Sequence, residues 1–453
     1  MRACQALTFL FSENSQEKNV RALFTLIHRW IGLSIASFIV VSGLTGAIIS
    51  WDHELDDLIN PHLMYSAQQG ERLPPLEIIR RVQAAEPRVF ITYMALNPEA
   101  GKTYELVVEP KTDPVTGRLY DLDFNRLYYD PVTGAEVGRR NWGAAWPVTR
   151  ETVISFLYKL HYMYHIPAMW GTDRWGYWLL GIVALVWTID CFIGFYLTLP
   201  LRQAKRKHRA AETERQSGKS YWERWKPAWK IKTNGSAYRI NFDIHRAFGL
   251  WFWLVLFVVA FTGFSLNLYR EVFYPVMSMV SKVTPDIFAT RPPTPIDQPI
   301  VPKLTFSEIL RKGEAEAKAL GIKEPPGALF YAPRWGVYGV SLFEPGEGHG
   351  TGGVGPEFLT FDQGDGRSLG RRTPWKGTAA DIFVQAQFPL HSGRILGIPG
   401  RILISLAGLV CVALAITGVV IWYRKRRARV RVRVAELDRS APMLQPVAIR
   451  AKR

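Results

Sequence analysis

The sequence is short of cysteine: 453 residues contain only Cys4, Cys191 and Cys411. The last two lie inside apolar runs, so no disulfide framework can staple the soluble parts. With no Cys-x-x-Cys-His, covalent c-type haem attachment is excluded, and a cysteine zinc site is not expected. Acidic residues are also scarce, 39 Asp and Glu against 56 Lys and Arg, for a formal charge of +17. Such an excess suits nucleic acid or a membrane surface, and its position decides between them. The basic clusters Leu201–Arg209 and Arg424–Arg433 each follow directly on an apolar run. That is the positive-inside pattern of a membrane protein, so no nucleic-acid partner is expected. A secretory signal is lacking too, because Ala6–Phe11 is too short and poorly flanked, and the first apolar run reads as an uncleaved span. Gly346–Gly353 only imitates a dinucleotide fingerprint: it lies between two strand-like runs with no helix behind it, and reads as a flexible hairpin tip.

What the chain has in quantity is apolar length. Hydrophobic residues make up 48% of it, with 16 Trp. Four runs, about 24–50, 176–200, 247–269 and 399–423, reach the roughly 20 residues that a helix needs to cross a bilayer. The basic clusters place residues 1–23, 201–246 and 424–453 in the cytoplasm. The segments 51–175 and 270–398 then lie in the periplasm, the chain being a multi-pass protein of a bacterial inner membrane.

The chain is also written twice. His28-Arg29-Trp30-Ile31-Gly32-Leu33 opens the first run and His245-Arg246-Ala247-Phe248-Gly249-Leu250 opens the third. Both outer segments hold a helix-like stretch (Leu76–Arg81, Phe306–Arg311), a strand-like stretch (Tyr104–Glu109, Tyr338–Phe343) and an aspartate with glycine four residues on (Asp130 and Gly134, Asp362 and Gly366). The last pattern is hairpin turn chemistry. The expected fold is a four-helix transmembrane bundle built by duplication, with two α+β outer domains. Ahead of the second and fourth runs stand Leu160-His161 and Leu390-His391; His165 follows close behind His161, and either is a fit counterpart for His391.

Topology sorts these histidines into one set per membrane face: His28 with His245 at the cytoplasmic ends, and His161 or His165 with His391 at the outer ends. Ionisable groups at that depth mark function by default, and two imidazoles from facing helices of a bundle can clamp a planar macrocycle. The reading is two bis-histidine b-type haems. From His28 to Trp51 a helix rises about 35 Å, a distance that haems near the two faces would divide. Arg29, Arg246 and Arg394 (or Arg401) stand where propionates would pair with them. The plainer reading of any one such histidine is an interfacial residue. Asp190 reads equally as part of a proton path or as a structural hydrogen bond; His53, His62, His208 and His349 read as loop residues.

The paired His-Arg-x-x-Gly-Leu openings, the Leu-His pairs and the duplicated Asp-x-x-x-Gly hairpins resemble the PepSY-associated transmembrane family of iron-regulated inner-membrane proteins, which includes FoxB-like ferrisiderophore reductases. The resemblance covers nearly the whole chain. It implies two PepSY-like periplasmic domains, two haems held by His28, His245, His391 and one of His161 and His165, and electron delivery to ferric siderophores. Ferric hydroxamates hold Fe(III) through hard oxygens, and one added electron gives a softer ion held far less tightly. No acid–base pair or nucleophile is then needed. The donor would be a separate cytoplasmic protein, a diffusible reductant or a quinol. Trp142, Trp146, Tyr158, Trp170, Trp335 and Trp375 would line a docking region or serve as anchors and core. Two rival readings are a siderophore or iron transporter, disfavoured because the ligands stand only at the two faces and no broken helix is expected at the midplane, and a non-enzymatic PepSY module that regulates a protease or senses a ligand, which would leave the span histidines without purpose.

Overall fold

The computed structural model describes residues 2–201 and 219–440; Arg202–Arg209 of the basic loop, His208 included, lies outside them. In chain order the principal helices are α1 (Arg2–Ile49), α2 (Pro75–Ala85), α3 (Val153–Met163), α4 (Trp175–Thr198), α5 (Ala237–Trp251), α6 (Trp253–Asn267), α7 (Phe306–Ala319), α8 (Ala379–Ser392) and α9 (Gly397–Ser440). The apolar runs are helical because a chain in hydrocarbon must satisfy its own backbone polar groups. Among the described residues, Glu17–Ile49, Trp175–Thr198 and Arg394–Glu436 are each long and apolar enough to cross a membrane.

The third run departs from expectation. It is not one helix over 247–269: α5 stops at Trp251, Phe252 takes a non-helical conformation (φ −102°, ψ 4°), and α6 starts at Trp253. Counted together, α5 and α6 make a fourth candidate span. No proline causes the break. The flanking indoles are anchored outside their own helices, Trp251 donating to the Trp229 carbonyl (3.2 Å) and Trp253 to that of Cys191 (2.9 Å). His245 therefore lies well inside α5 rather than at the start of a span.

Contacts divide the chain into two compact units. One comprises residues 1–40, 189–253 and 410–453, and the other residues 41–188 and 254–409. The second contains all the strands: β1 (Val89–Ala95), β2 (Tyr104–Pro110), β3 (Arg126–Tyr129), β4 (Glu136–Arg140), β5 (Pro326–Ala332), β6 (Val337–Leu342), β7 (Glu357–Asp362) and β8 (Ser368–Arg372). The two expected sheets are one, antiparallel throughout, in the order β4-β3-β2-β1-β5-β6-β7-β8. The join is β1 on β5, with Met94 opposite Leu329 and Ala95 opposite Ala328. Separate sheets would each leave a long apolar strand edge with unpaired backbone, and the join removes both edges.

Helices α2 and α7 pack on this sheet through stripes at helical spacing, Ile78, Ile79 and Val82 from one and Phe306, Ile309, Gly313 and Ala317 from the other. A capping box of Thr305 and Glu308 starts α7. Both Asp-x-x-x-Gly stretches form the hairpins expected of them. The Asp130 carboxylate accepts the backbone N–H of Val132 (3.0 Å) and Thr133 (2.8 Å), and that of Asp362 accepts Gly364 N–H (2.8 Å). Gly134 (φ 65°) and Gly366 (φ 68°) take the left-handed conformation that the turn demands.

Candidate functional site

Each unit brings together two of the span-associated histidines as facing imidazoles. In the first, His28 on α1 and His245 on α5 have ring centroids 6.2 Å apart at an interplanar angle of 60°. In the second, His161 on α3 and His391 on α8 stand 5.9 Å apart at 57°. His165 is not part of this pair. Helix α3 ends at Met163, and Tyr164 (φ 55°) and His165 (φ 52°) turn left-handed. His165 leaves the helix face, donates from Nε2 to the Phe156 carbonyl (2.9 Å) and stacks on the Phe156 ring (4.6 Å).

The hydrogen bonds at Nδ1 fix what each paired imidazole can do. His161 Nδ1 meets Thr45 Oγ1 at 3.1 Å, His391 Nδ1 meets Thr262 Oγ1 at 3.0 Å, and His245 Nδ1 meets Thr417 Oγ1 at 3.0 Å and the Leu414 carbonyl at 3.1 Å. Each threonine spends its own proton on a carbonyl one turn back: Thr45 on Val41 (2.7 Å), Thr262 on Val258 (2.6 Å) and Thr417 on Ala413 (2.6 Å). The threonine oxygen is then the acceptor and Nδ1 the donor. His28 Nδ1 lies 2.9 Å from both oxygens of Asp190, and an ionised carboxylate only accepts. In all four rings Nδ1 is the nitrogen held by the protein, which leaves Nε2 as the one to meet a metal, the arrangement by which a ligating imidazole is oriented through its other nitrogen.

A second pattern repeats at all four. A glycine of a neighbouring helix faces the Cε1 edge of each ring, where an added Cβ would come within 2.9 Å (Gly46 to His161), 3.4 Å (Gly194 to His28), 3.5 Å (Gly263 to His391) and 3.3 Å (Gly418 to His245). These glycines cradle the imidazoles. The donor set, the Nδ1 hydrogen bonds and the packing fit a metal that the two imidazoles of a pair would hold and orient.

The arginines vary. Arg29 and Arg246 both keep Nε buried with no hydrogen-bond partner in the structure. Arg246 otherwise donates to Asp243 (2.8 Å) and to the Pro227 carbonyl (2.7 Å). Arg394 lies 3.4 Å from Asp52, and Arg401 pairs with Glu54 (2.6 Å). The aromatic residues do not gather: Trp142 packs on Tyr158, Trp335 on Phe288, and Trp375 donates to the Thr351 carbonyl, while Trp146 and Trp170 are exposed.

The threonine acceptors lay outside the sequence reading, and two other features go beyond it. The acceptors Thr45, Thr262 and Thr417 were signalled by Thr-Gly dipeptides inside apolar runs. Asp190 binds His28, which settles its hydrogen bond. His53 and His349 have ring centroids 4.9 Å apart, with His349 lowered to about 4, chiefly by burial and then by the Arg394 charge. Its glycine-rich loop borders a cavity of about 370 Å³ with Phe343, Glu347 and Glu357. Among the described residues no cluster of three or more His, Cys, Asp or Glu could hold a free metal ion.

No curated protein matches the chain. The model of one family, the PepSY-associated TM region, matches residues 25–425, a stretch that holds both imidazole pairs, all four glycines and most of each candidate span. With long apolar helices, an antiparallel sheet and that match over most of its length, this membrane protein belongs to the PepSY-associated TM region family.

Proposed function

We propose that the chain is a di-haem reductase of a bacterial inner membrane that delivers electrons to ferric siderophores of the hydroxamate type in the periplasm. The observation that supports the reading is the pair of imidazole pairs, each ring held through Nδ1 by an acceptor of a neighbouring helix. Two b-type haems, held by His28 with His245 and by His161 with His391, would supply reversible one-electron chemistry at iron. The protein's part is to fix ligand orientation through the Nδ1 acceptors and to keep room beside His161 and His245 through Gly46 and Gly418. Arg29 and Arg246, each with an unpartnered buried Nε, suit the propionates of the cytoplasmic-side group. The net reaction balances as one two-electron donor of the quinol or reduced-flavin class oxidised for two Fe(III) reduced, with two protons left on the donor's side. Ferrous iron, a softer ion, then leaves its hydroxamate oxygens.

The test is a reduced-minus-oxidised absorption spectrum of detergent-purified protein with quantified haem. Two b-type haems per chain are expected, one lost in His245→Ala and the other in His391→Ala, and the reduced protein should be reoxidised by a ferric trihydroxamate. Absence of b-type bands after expression with ample haem refutes the reading. A siderophore or iron transporter is the second reading. It is favoured by the break at Phe252, since discontinuous spans build substrate sites in transporters. It expects uptake of labelled siderophore into vesicles without any spectral change.

A further inference from the structure

The four ligand environments are alike except one. Thr45-Gly46, Thr262-Gly263 and Thr417-Gly418 each set a hydroxyl acceptor beside the cradle glycine, whereas α4 has Ile193-Gly194. There the acceptor comes instead from Asp190, one turn before Gly194, the place that Leu414 takes before Gly418. The carboxylate is buried, with the residue 6% exposed, and both its oxygens lie 2.9 Å from His28 Nδ1. Among the described residues His28 is its hydrogen-bond partner. A carboxylate in an apolar run is costly unless it serves a partner, and a neutral acceptor suffices to orient the other three rings. What Asp190 adds is charge.

Resting on the di-haem reading, we propose that Asp190 is a positioning residue that sets the reduction potential at the His28–His245 pair below that at the His161–His391 pair, so that electron flow runs from the cytoplasmic side outward. A negative charge on the far nitrogen of the ligand makes the imidazole a stronger electron donor. It also favours the more positive, oxidised iron over the reduced one by simple Coulomb attraction in a medium of low dielectric. The threonine-held pair has no such charge and sits at higher potential. One electron moving from the first pair to the second therefore moves downhill, and nothing else in the site need confer direction.

The test uses potentiometric titration of full-length protein. His391→Ala isolates the cytoplasmic-side haem and His245→Ala the outer one, and the former is expected to have the lower midpoint. Asp190→Asn, which keeps an acceptor of the same shape without the charge, should raise that midpoint by at least tenfold in the reduction equilibrium, or 59 mV for one electron. Thr45→Val in the His245→Ala background should move the outer midpoint by less. Should Asp190→Asn lose its haem, Asp190→Leu with Ile193→Thr rebuilds the acceptor pattern of His245, and a retained haem with a raised midpoint supports the proposal. Haem retained with an unmoved midpoint overturns it. So does loss of the same haem in both variants, since the carboxylate would then hold the cofactor rather than tune it. Wild-type protein without haem would instead refute the di-haem reading itself.

Discussion

Gly46→Ala sets two effects of one methyl group against each other. In the last turn of α1, alanine in place of glycine still favours the helix, by no more than about 0.5–1 kcal/mol, so the span itself does not lose. The new Cβ, however, would sit 2.9 Å from His161 Cε1 and 3.4 Å from Nδ1, and restoring ordinary contact moves the ring by about half an ångström. His161 cannot swing away freely, because Thr45 on the preceding residue holds its Nδ1 at 3.1 Å. Metal–ligand distances tolerate about 0.2 Å, and disturbing the support of a ligand typically costs 10–100-fold in affinity. The expected result is a protein at least as heat-stable without haem, whose haem content falls from two toward one per chain with affinity down by about 10–100-fold. Gly263→Ala is the internal control on the same pair. Its Cβ would lie 3.5 Å from His391 Cε1 and 3.6 Å from Ala184 Cβ, both ordinary contacts, so both haems should stay. Pyridine haemochrome quantification with thermal melting reads both terms. If Gly46→Ala keeps both haems at wild-type affinity, or Gly263→Ala loses as much, the glycine cradle does not govern ligand placement.

His161→Ala should lose one haem while His165→Ala keeps both, since His165 serves only Phe156; haem counts on the two variants decide this, and loss in His165→Ala contradicts it. Arg140 is almost wholly buried and forks onto Asp56 at 2.9 and 2.6 Å. Arg140→Met should destabilise the sheet-bearing unit by about 3–5 kcal/mol, and adding Asp56→Leu should recover much of that loss in denaturant titrations; no recovery would mean the unpaired carboxylate is not the cause. The Arg401 hydrogen bond holds Glu54 down to about 2 from an ordinary 4.5. The folded value lies below the unfolded one, so this stabilising contribution is full above about pH 4.5 and is lost as pH falls toward 2. Its size is limited by solvent screening, because Glu54 is about half exposed. Melting temperatures measured down through that window should fall less steeply in Glu54→Gln than in wild type, and identical slopes would rule the pair out as a contributor.

Much of this organisation is legible in the residues. Apolar runs of bilayer length and basic clusters beside them report the spans, and aspartate with glycine four residues on reports the hairpins, because in each case the physics is local. The join of β1 to β5 is not local: Met94 and Leu329 meet across more than half the chain, and nothing in either strand names its partner. The break at Phe252 is hidden because Trp251, Phe252 and Trp253 are as apolar as the rest of the run. The choice between His161 and His165 turns on a left-handed backbone at Tyr164 and His165, two residue types that rarely adopt it. The threonine acceptors were visible as Thr-Gly dipeptides, and only the facing imidazoles give those dipeptides a meaning.

The sequence patterns that occur twice meet through their own counterparts. His28 faces His245, His161 faces His391, and β1 pairs with β5. Contacts in which a residue meets its counterpart belong to isologous dimers, where one surface serves both partners. Here the two partners are successive lengths of one chain, and each imidazole pair takes one ring from either length. A cut between residues 201 and 219 would therefore not yield two half-competent fragments: each piece would keep two imidazoles, and neither would keep a facing pair.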